Sequence, residues 1–200
     1  MIYIAEYEGY ENNEHKLEIT GKTVSREEYD DFIRREPKAK KYIKRVTGAA
    51  EFINNKDRYC LWLVDVSPKE LRTMPLVMNR IELCRQARLA GAPDRQKLAS
   101  TPTVFREQKN PESYIIVPST SSENRRYIPI GFLDGETIPT NSATIIEDAT
   151  LYDFGILTSN VHMAWMRTVA GRLKSDYIYS AKIVYNNFPW LEVTHQQKDK

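Results

Sequence analysis

Between Arg172 and Ser180 the chain reads Arg-Leu-Lys-Ser-Asp-Tyr-Ile-Tyr-Ser, a run dense in side chains that donate or accept hydrogen bonds. Lys174 carries an ammonium, which only donates, and Asp176 a carboxylate, which only accepts when ionised. With one residue between them, the two can point the same way from an extended segment. They could then meet a ligand edge that offers an acceptor beside a donor. The same pair can instead close an exposed salt bridge, worth at most about 1 kcal/mol. Arg172, Tyr177 and Tyr179 stand around them as candidate phosphate contacts.

Two other stretches offer comparable chemistry. Pro118 to Arg126 holds four consecutive hydroxyl residues and two arginines. Arg125 and Arg126 can clamp phosphates, and Ser122 and Asn124 can bond phosphate oxygens. The alternative is a structural turn whose arginine pairs with Glu123 or Asp153. Pro139-Thr-Asn-Ser-Ala143 holds Asn141 and Ser142 ahead of a strand, where Asn141 is either a binding residue or a turn former.

Motifs for other chemistry are missing. The chain has no GxGxxG and no GxxxxGK[ST], so no phosphate cradle is visible. It has no GxSxG or HExxH. His15, His162 and His195 stand apart, with no zinc spacing of cysteines and histidines. His162 reads as a core histidine. Asp30-Asp31 and Glu147-Asp148 read as helix-surface and turn residues. Cys60 and Cys84 lie in apolar segments and are expected to be reduced core residues. No catalytic residue, no metal site and no cofactor site is expected in this chain.

The elements that would position the polar runs follow from local signals. Ile2–Tyr10 reads as a strand and Glu11–Lys22 as a loop. Ser25 to Glu28 has capping-box spacing, with Tyr29, Phe32 and Ile33 as the apolar stripe of a helix that Pro37 interrupts. Ala39–Val46 is expected to resume as a lysine-rich helix ended by Gly48. Arg58–Asp65 reads as a strand. Ser67-Pro68-Lys69-Glu70 starts a helix, and a second runs from about Leu76 to Ala90 after Pro75.

Beyond Pro102 the pattern turns to β, with strands at Ser113–Val117, Tyr127–Leu133 and Ala143–Ile146. Thr150 to Trp190 then reads as a short strand, one long helix, the polar loop and a second strand closed by Phe188-Pro189. Thr158 or Ser159 caps that helix, Val161, Ala164, Trp165, Thr168 and Val169 form its core-facing stripe, and Gly171 stops it. The fold class is α+β, a mixed or mainly antiparallel sheet flanked by helices.

Two hundred residues at 28% charged and 41% hydrophobic fit one soluble domain, with or without a small appendage. No apolar run approaches the roughly 18 residues of a membrane span. No signal-peptide pattern is present, so a cytoplasmic, prokaryotic location and no membrane partner are expected. The net charge of +2 conceals two blocks: Met1–Glu36 has 10 acidic and 5 basic residues, and Pro37–Asn110 has 16 basic and 7 acidic. A basic block suits a polyanion-binding face or a set of solvated helix faces.

Several segments, in order and spacing, resemble one family. They are Glu51-Phe-Ile53, Arg58 to Leu63, Ser121 to Phe132, Ala149 to Leu157, Met163-Ala-Trp-Met-Arg167, Gly171 to Tyr177 and Val184-Tyr-Asn-Asn-Phe-Pro-Trp190. The chain is similar there to the target-recognition domain of MmeI-like type II restriction-modification enzymes. Those enzymes join a nuclease, an adenine-N6 DNA methyltransferase and a DNA-reading domain in one polypeptide. Ala49-Ala50 stands where Ser-Lys is expected, and Leu191 where a second proline would follow Trp190.

The resemblance implies a sequence-specific duplex-DNA recognition module at residues 41–190. Residues 1–40 would be an N-terminal strand and acidic helix leading toward a methyltransferase, and 191–200 a tail. Lys174 and Asp176 match positions that read a base: the ammonium can donate to guanine O6 or N7 and the carboxylate can accept from cytosine N4, suggesting a G·C pair with guanine facing Lys174. Asn141 and Ser142 are candidate base readers, Asn141 through adenine N6 and N7. Ser122, Asn124, Arg125, Arg126, Arg172, Tyr177 and Tyr179 are candidate backbone or base contacts, with Arg80, Arg85 and Arg88 weaker ones.

S-adenosylmethionine would belong to the parent enzyme, because the family's glycine-rich loop and Asn-Pro-Pro-Tyr motif are missing here. The partners implied are double-stranded DNA and the methyltransferase and nuclease domains of one longer chain. A module that docks those other domains without touching DNA is the alternative.

Overall fold

A computed structural model describes residues 26–106, 108, 110–191 and 194. The strand and loop expected over Ile2–Lys22, the Ser25 cap and His195 lie outside those residues. The fold is α+β, and the chain forms two compact units. One consists of the chain through Val46 with the stretch that begins at Asp57. The other consists of Thr47–Lys56 with the chain from Asn110 onward. Among the described residues no helix is long and apolar enough to cross a membrane.

In the first unit, helix α1 (Arg26–Arg35) stops before Pro37, which has no N–H to continue it. A 3-10 turn, Pro37–Tyr42, leads into strand β1, Ile43–Thr47. This corrects the lysine-rich helix expected over Ala39–Val46. Strand β2 (Tyr59–Leu61) supplies an antiparallel partner with Lys44 opposite Cys60, and that ladder outweighs a weak helical preference. Helix α3 (Pro68–Leu71) starts as expected, the Ser67 hydroxyl accepting from Glu70 N at 3.2 Å. Helix α4, Pro75–Leu89, has no side-chain cap of its own. The buried Glu36 carboxylate accepts from Val77 N at 2.7 Å and fills that role from 41 residues away, an anion where the helix dipole favours one.

Phe32, Leu61, Leu63, Met74, Val77 and Ile81 fill the core of this unit. Cys60 and Cys84 are buried and free. Helix α5, Pro93–Gln96, and a 3-10 turn, Lys97–Ser100, follow α4. Arg88 on α4 is only 4% exposed. Its Nη1 donates to the carbonyls of Leu98 and Thr101 and its Nη2 to that of Val104, each at 2.7 Å.

In the second unit, helix α2 (Ala49–Asn54) packs beside strand β3, Ser113–Pro118. Five of the six β3 residues are buried, and β3 runs between β5 (Gly131–Asp134) and β7 (Ala143–Glu147), antiparallel to both. The expected strand at Tyr127–Leu133 is shorter because Pro129 has no ladder donor. Past Pro118 the chain forms a two-residue strand, β4 (Thr120–Ser121), in a different sheet. That sheet is a hairpin, β8 (Gly171–Leu173) and β9 (Asp176–Ile178), with β4 added antiparallel to β9. Strand β6, Thr137–Pro139, lies between β5 and β7 in sequence.

Leu151–Leu157 is helix α6, which corrects the strand expected there. Thr150 and Asp153 form a reciprocal capping box: Asp153 N donates to Thr150 Oγ1 at 3.3 Å and Thr150 N to Asp153 Oδ2 at 2.7 Å. Helix α7, Asn160–Val169, begins at Ser159, whose hydroxyl accepts from His162 N at 3.1 Å. Its buried stripe is His162, Met163 and Met166, whereas Val161 is 70% exposed, so the buried stripe is rotated about the helix from the expected one. Gly171 is not a left-handed stop. No glycine among the described residues has positive φ; α7 ends because Ala170 is extended and leads into β8. The last expected strand is one turn of π-type helix, Ala181–Tyr185, held by Trp165 Nε1 donating to Val184 O at 2.9 Å.

His162 is buried, as expected, against Phe188 and Tyr179, with Nε2 and the Tyr179 hydroxyl 3.0 Å apart. Burial pushes its pKa down to about 4.

Both cores can be probed by single substitutions. Replacing Arg88 with Met strips the donor from three loop carbonyls, so the urea midpoint should drop by the equivalent of about 3 kcal/mol or more. Arg85→Met, on the exposed side of the same helix, should leave it in place. His162 binds its proton more weakly folded (about 4) than unfolded (6.5). Its contribution is therefore complete above pH 6.5 and is lost as pH falls toward 4. His162→Gln should flatten the stability-versus-pH curve in that window by up to about 1.4 kcal/mol per pH unit. An unchanged slope would contradict the neutral, buried imidazole.

Candidate nucleic-acid interface

The three polar stretches, far apart in sequence, meet where β3 gives way to β4. Ser119 is the junction. Its N–H donates to Ser142 O at 3.2 Å and its C=O accepts from Tyr179 N at 2.9 Å. The N–H thus holds the Asn141–Ser142 turn and the C=O holds the strand that leaves the β8–β9 hairpin. In the next pairs along, Pro118 lies opposite Ala143 and Thr120 opposite Ile178.

The hairpin has two faces. Ser121, Tyr177 and Arg172 stand in one row across β4, β9 and β8. Tyr177 is 8% exposed and belongs to the core with Ile115, Val117, Met163 and Tyr179. The Arg172 guanidinium lies 3.7 Å above the Tyr177 ring, donates from Nη1 to Ser175 O at 2.6 Å and sits 3.7 Å from Glu123 Oε2. Because side chains alternate along a strand, Tyr177 and Tyr179 point inward while Asp176 and Ile178 take the other face. The burial of both tyrosines corrects their reading as phosphate contacts, since the Tyr179 hydroxyl is engaged with His162 in the core. The Asp-Tyr-Ile-Tyr alternation was the available signal for this.

Lys174 and Asp176 do not share one extended segment. Lys174 and Ser175 form the two-residue turn between Leu173 and Asp176, which are direct cross-strand partners. Lys174 is exposed, with φ of 56°, a region in which glycine is favoured. Asp176 is half-buried at the start of β9. Among the described residues no ion pair joins the two, so the salt-bridge alternative is not formed.

The loop after β4 is a turn built on Ser122, whose hydroxyl accepts from Asn124 N at 3.3 Å and whose carbonyl accepts from Arg125 N at 3.1 Å. Ser122 is half-buried and Asn124 exposed. Arg125 and Arg126 are both exposed. Arg126 lies 5.4 Å over the Tyr127 ring and its carbonyl accepts from Arg167. The arginine beside Glu123 is Arg172, not either of these, and Asp153 is used in the α6 cap. The Arg125 guanidinium therefore points into solvent without a protein partner among the described residues.

In the third stretch, Asn141 is exposed at the turn. Ser142 is also exposed, and its Oγ accepts from Ala49 N at 3.0 Å at the start of α2 and lies 2.9 Å from Thr140 Oγ1. Gly48 approaches so closely that an added Cβ would lie 2.2 Å from Ser142 Oγ, a packing reason for glycine where the sequence suggested a helix stop.

The arginines of α4 lie in the first unit. Arg88 is in its core, which removes it from any phosphate-facing set, and Arg85 pairs with Glu82 at 2.7 Å; Arg80 is half-buried. Three other cations of the basic block are likewise paired, Lys41 with Glu70, Arg45 with Asp57 and Lys97 with Asp94.

Comparison with known proteins agrees with this architecture. DNA methyltransferase A of Bacillus subtilis (strain 168) is 43% identical over 175 residues, which is 86% of this chain and 20% of that protein. The solved structure of the type IIL restriction-modification enzyme MmeI in complex with DNA is 44% identical with a TM-score of 0.82, covering 88% of this chain and 24% of that one. The chain thus spans only a fifth to a quarter of the length of these relatives. The family described as "MmeI, target recognition domain" matches residues 18–192, and the chain belongs to that family.

Proposed function

We propose that this chain reads duplex-DNA sequence for a restriction-modification adenine-N6 methyltransferase, bringing one adenine of the site to a catalytic pocket on another part of a longer polypeptide. The observation that carries this is the convergence of the Arg125 loop, the Lys174–Asp176 hairpin and the Asn141 turn on the two hydrogen bonds of Ser119. Ionised and amide groups held on a rigid frame suit recognition of base edges and phosphates. The likeness to an enzyme solved with DNA supports the same reading.

Within it, Lys174 donates to guanine O6 or N7 and Asp176 accepts from cytosine N4. Asn141 is a further base reader, and Arg125, Arg126, Asn124 and Arg172 lie where they can meet the backbone. Ser142 acts through the α2 start and Tyr177 as the platform under Arg172. S-adenosylmethionine binding and extrusion of the adenine from the helix fall to other domains, consistent with the missing glycine-rich loop and Asn-Pro-Pro-Tyr motif.

The positive φ of Lys174 sharpens the assignment. A turn position that glycine fills without strain is occupied by a long exposed cation, which supports a role for the ammonium beyond the turn.

Three experiments test this. In the full-length enzyme, Lys174→Glu with Asp176→Arg should switch one base pair of the methylated motif and leave the others, because a good contact of this kind discriminates by about 1–3 kcal/mol. An unchanged motif would mean that the hairpin is structural. Lys174→Gly should match or exceed wild type in thermal stability yet lose at least about fivefold discrimination at that same base pair. Salt-sensitive binding to duplex DNA is expected, and its absence would instead favour a module that docks other protein domains.

A further inference from the structure

Leu173 is a leucine 58% exposed at the tip of a hairpin whose neighbours are Arg172, Lys174, Ser175 and Asp176. It has no core role: the inner face of the hairpin belongs to Tyr177, on which Arg172 stacks. Leu173 is the direct cross-strand partner of Asp176. Partners in an antiparallel pair project from the same face with Cβ atoms about 5 Å apart. Gly171 and Ile178 continue that face; a Cβ added at Gly171 would touch only Ile178, at 3.9 Å, so the surface beside Leu173 is open.

We propose that Leu173 is a specificity-determining residue that reads the 5-methyl group of a thymine one step from the base pair contacted by Asp176. The inference rests on the base-reading role of Asp176 given above. The thymine methyl is the one apolar feature that a major-groove edge presents, and apolar side chains are what recognise it. Base pairs are stacked about 3.4 Å apart. If the Asp176 carboxylate sits on a cytosine edge, a leucine about 5 Å away on the same face reaches the neighbouring pair. The polar residues around it cannot make this contact.

The test uses the full-length enzyme and duplexes carrying its own methylated motif, with each thymine in and beside the motif replaced in turn by uracil, which lacks only the methyl group. Wild type should methylate one of these duplexes about fourfold more slowly, the worth of one buried methyl. Leu173→Ala should methylate the thymine and uracil versions of that position equally, at the wild-type rate on uracil; this last rate also shows that the variant is folded. The inference is overturned if no uracil duplex is slowed, if the affected thymine lies more than one step from the pair switched by Lys174→Glu with Asp176→Arg, or if Leu173→Ala keeps the sensitivity. Loss of activity by Leu173→Ala on every duplex would also overturn it, pointing to a contact with another protein domain. If the charge reversal leaves the motif unchanged while Leu173→Ala abolishes a thymine preference, the Asp176 assignment fails and the leucine contact stands.

Discussion

The second unit depends on the backbone of Ser119. Its N–H and C=O are each used by a different structure: the N–H donates to the carbonyl of Ser142 and the C=O accepts from the N–H of Tyr179. The strand that enters this peptide is the buried centre of one sheet, and the strand that leaves it is the edge of another. Backbone groups at such a crossing have to be paired, so the chain cannot slide past it without losing both bonds. Asn141, Arg125 and Lys174 are thereby held near one another by main-chain contacts.

That arrangement separates polar residues that build from polar residues that remain available. Ser142 caps the start of α2, Arg172 ties the hairpin turn to the Tyr177 ring and to Glu123, and Thr150 with Asp153 starts α6. In the other unit Glu36 and Arg88, both buried, close a helix start and a loop. Lys174 and Arg125 have no such role among the described residues. A residue of this second kind can be exchanged for another donor or acceptor at little cost to the frame, because the frame is held by ladders, caps and the packing of Ile115, Val117, Met163 and Met166. Net charge does not make this distinction: within the most basic stretch of the chain Arg88 is buried, and Lys41, Arg45, Arg85 and Lys97 are paired.

Much of the architecture is legible in the order of residues alone. Pro37, the Ser67-Pro68 start and Pro75 act through the geometry of one turn, and each produces the boundary it announces. The buried strand Ser113–Pro118 is recognisable from its branched residues, and the family from ordered matches across three quarters of the chain. Short apolar runs are harder. Leu151–Leu157 has the length of a strand, and only the reciprocal bonds of Thr150 and Asp153 make it a helix; Ile43–Thr47 is a strand because β2 lies beside it.

By itself, then, the sequence determined the fold class, most helix boundaries, the family and the candidate polar residues, because these rest on short-range geometry and on residue identity. It did not decide which of those residues are exposed. Tyr179 and Asp176 belong to the same polar run, yet one is sealed against His162 and the other stands beside an exposed leucine. The register of β9 between β4 and β8 makes that choice, since a strand's two faces differ by one residue. That register depends on Ser119 and Arg172, far apart in the chain, and only tertiary structure brings them to the same strand.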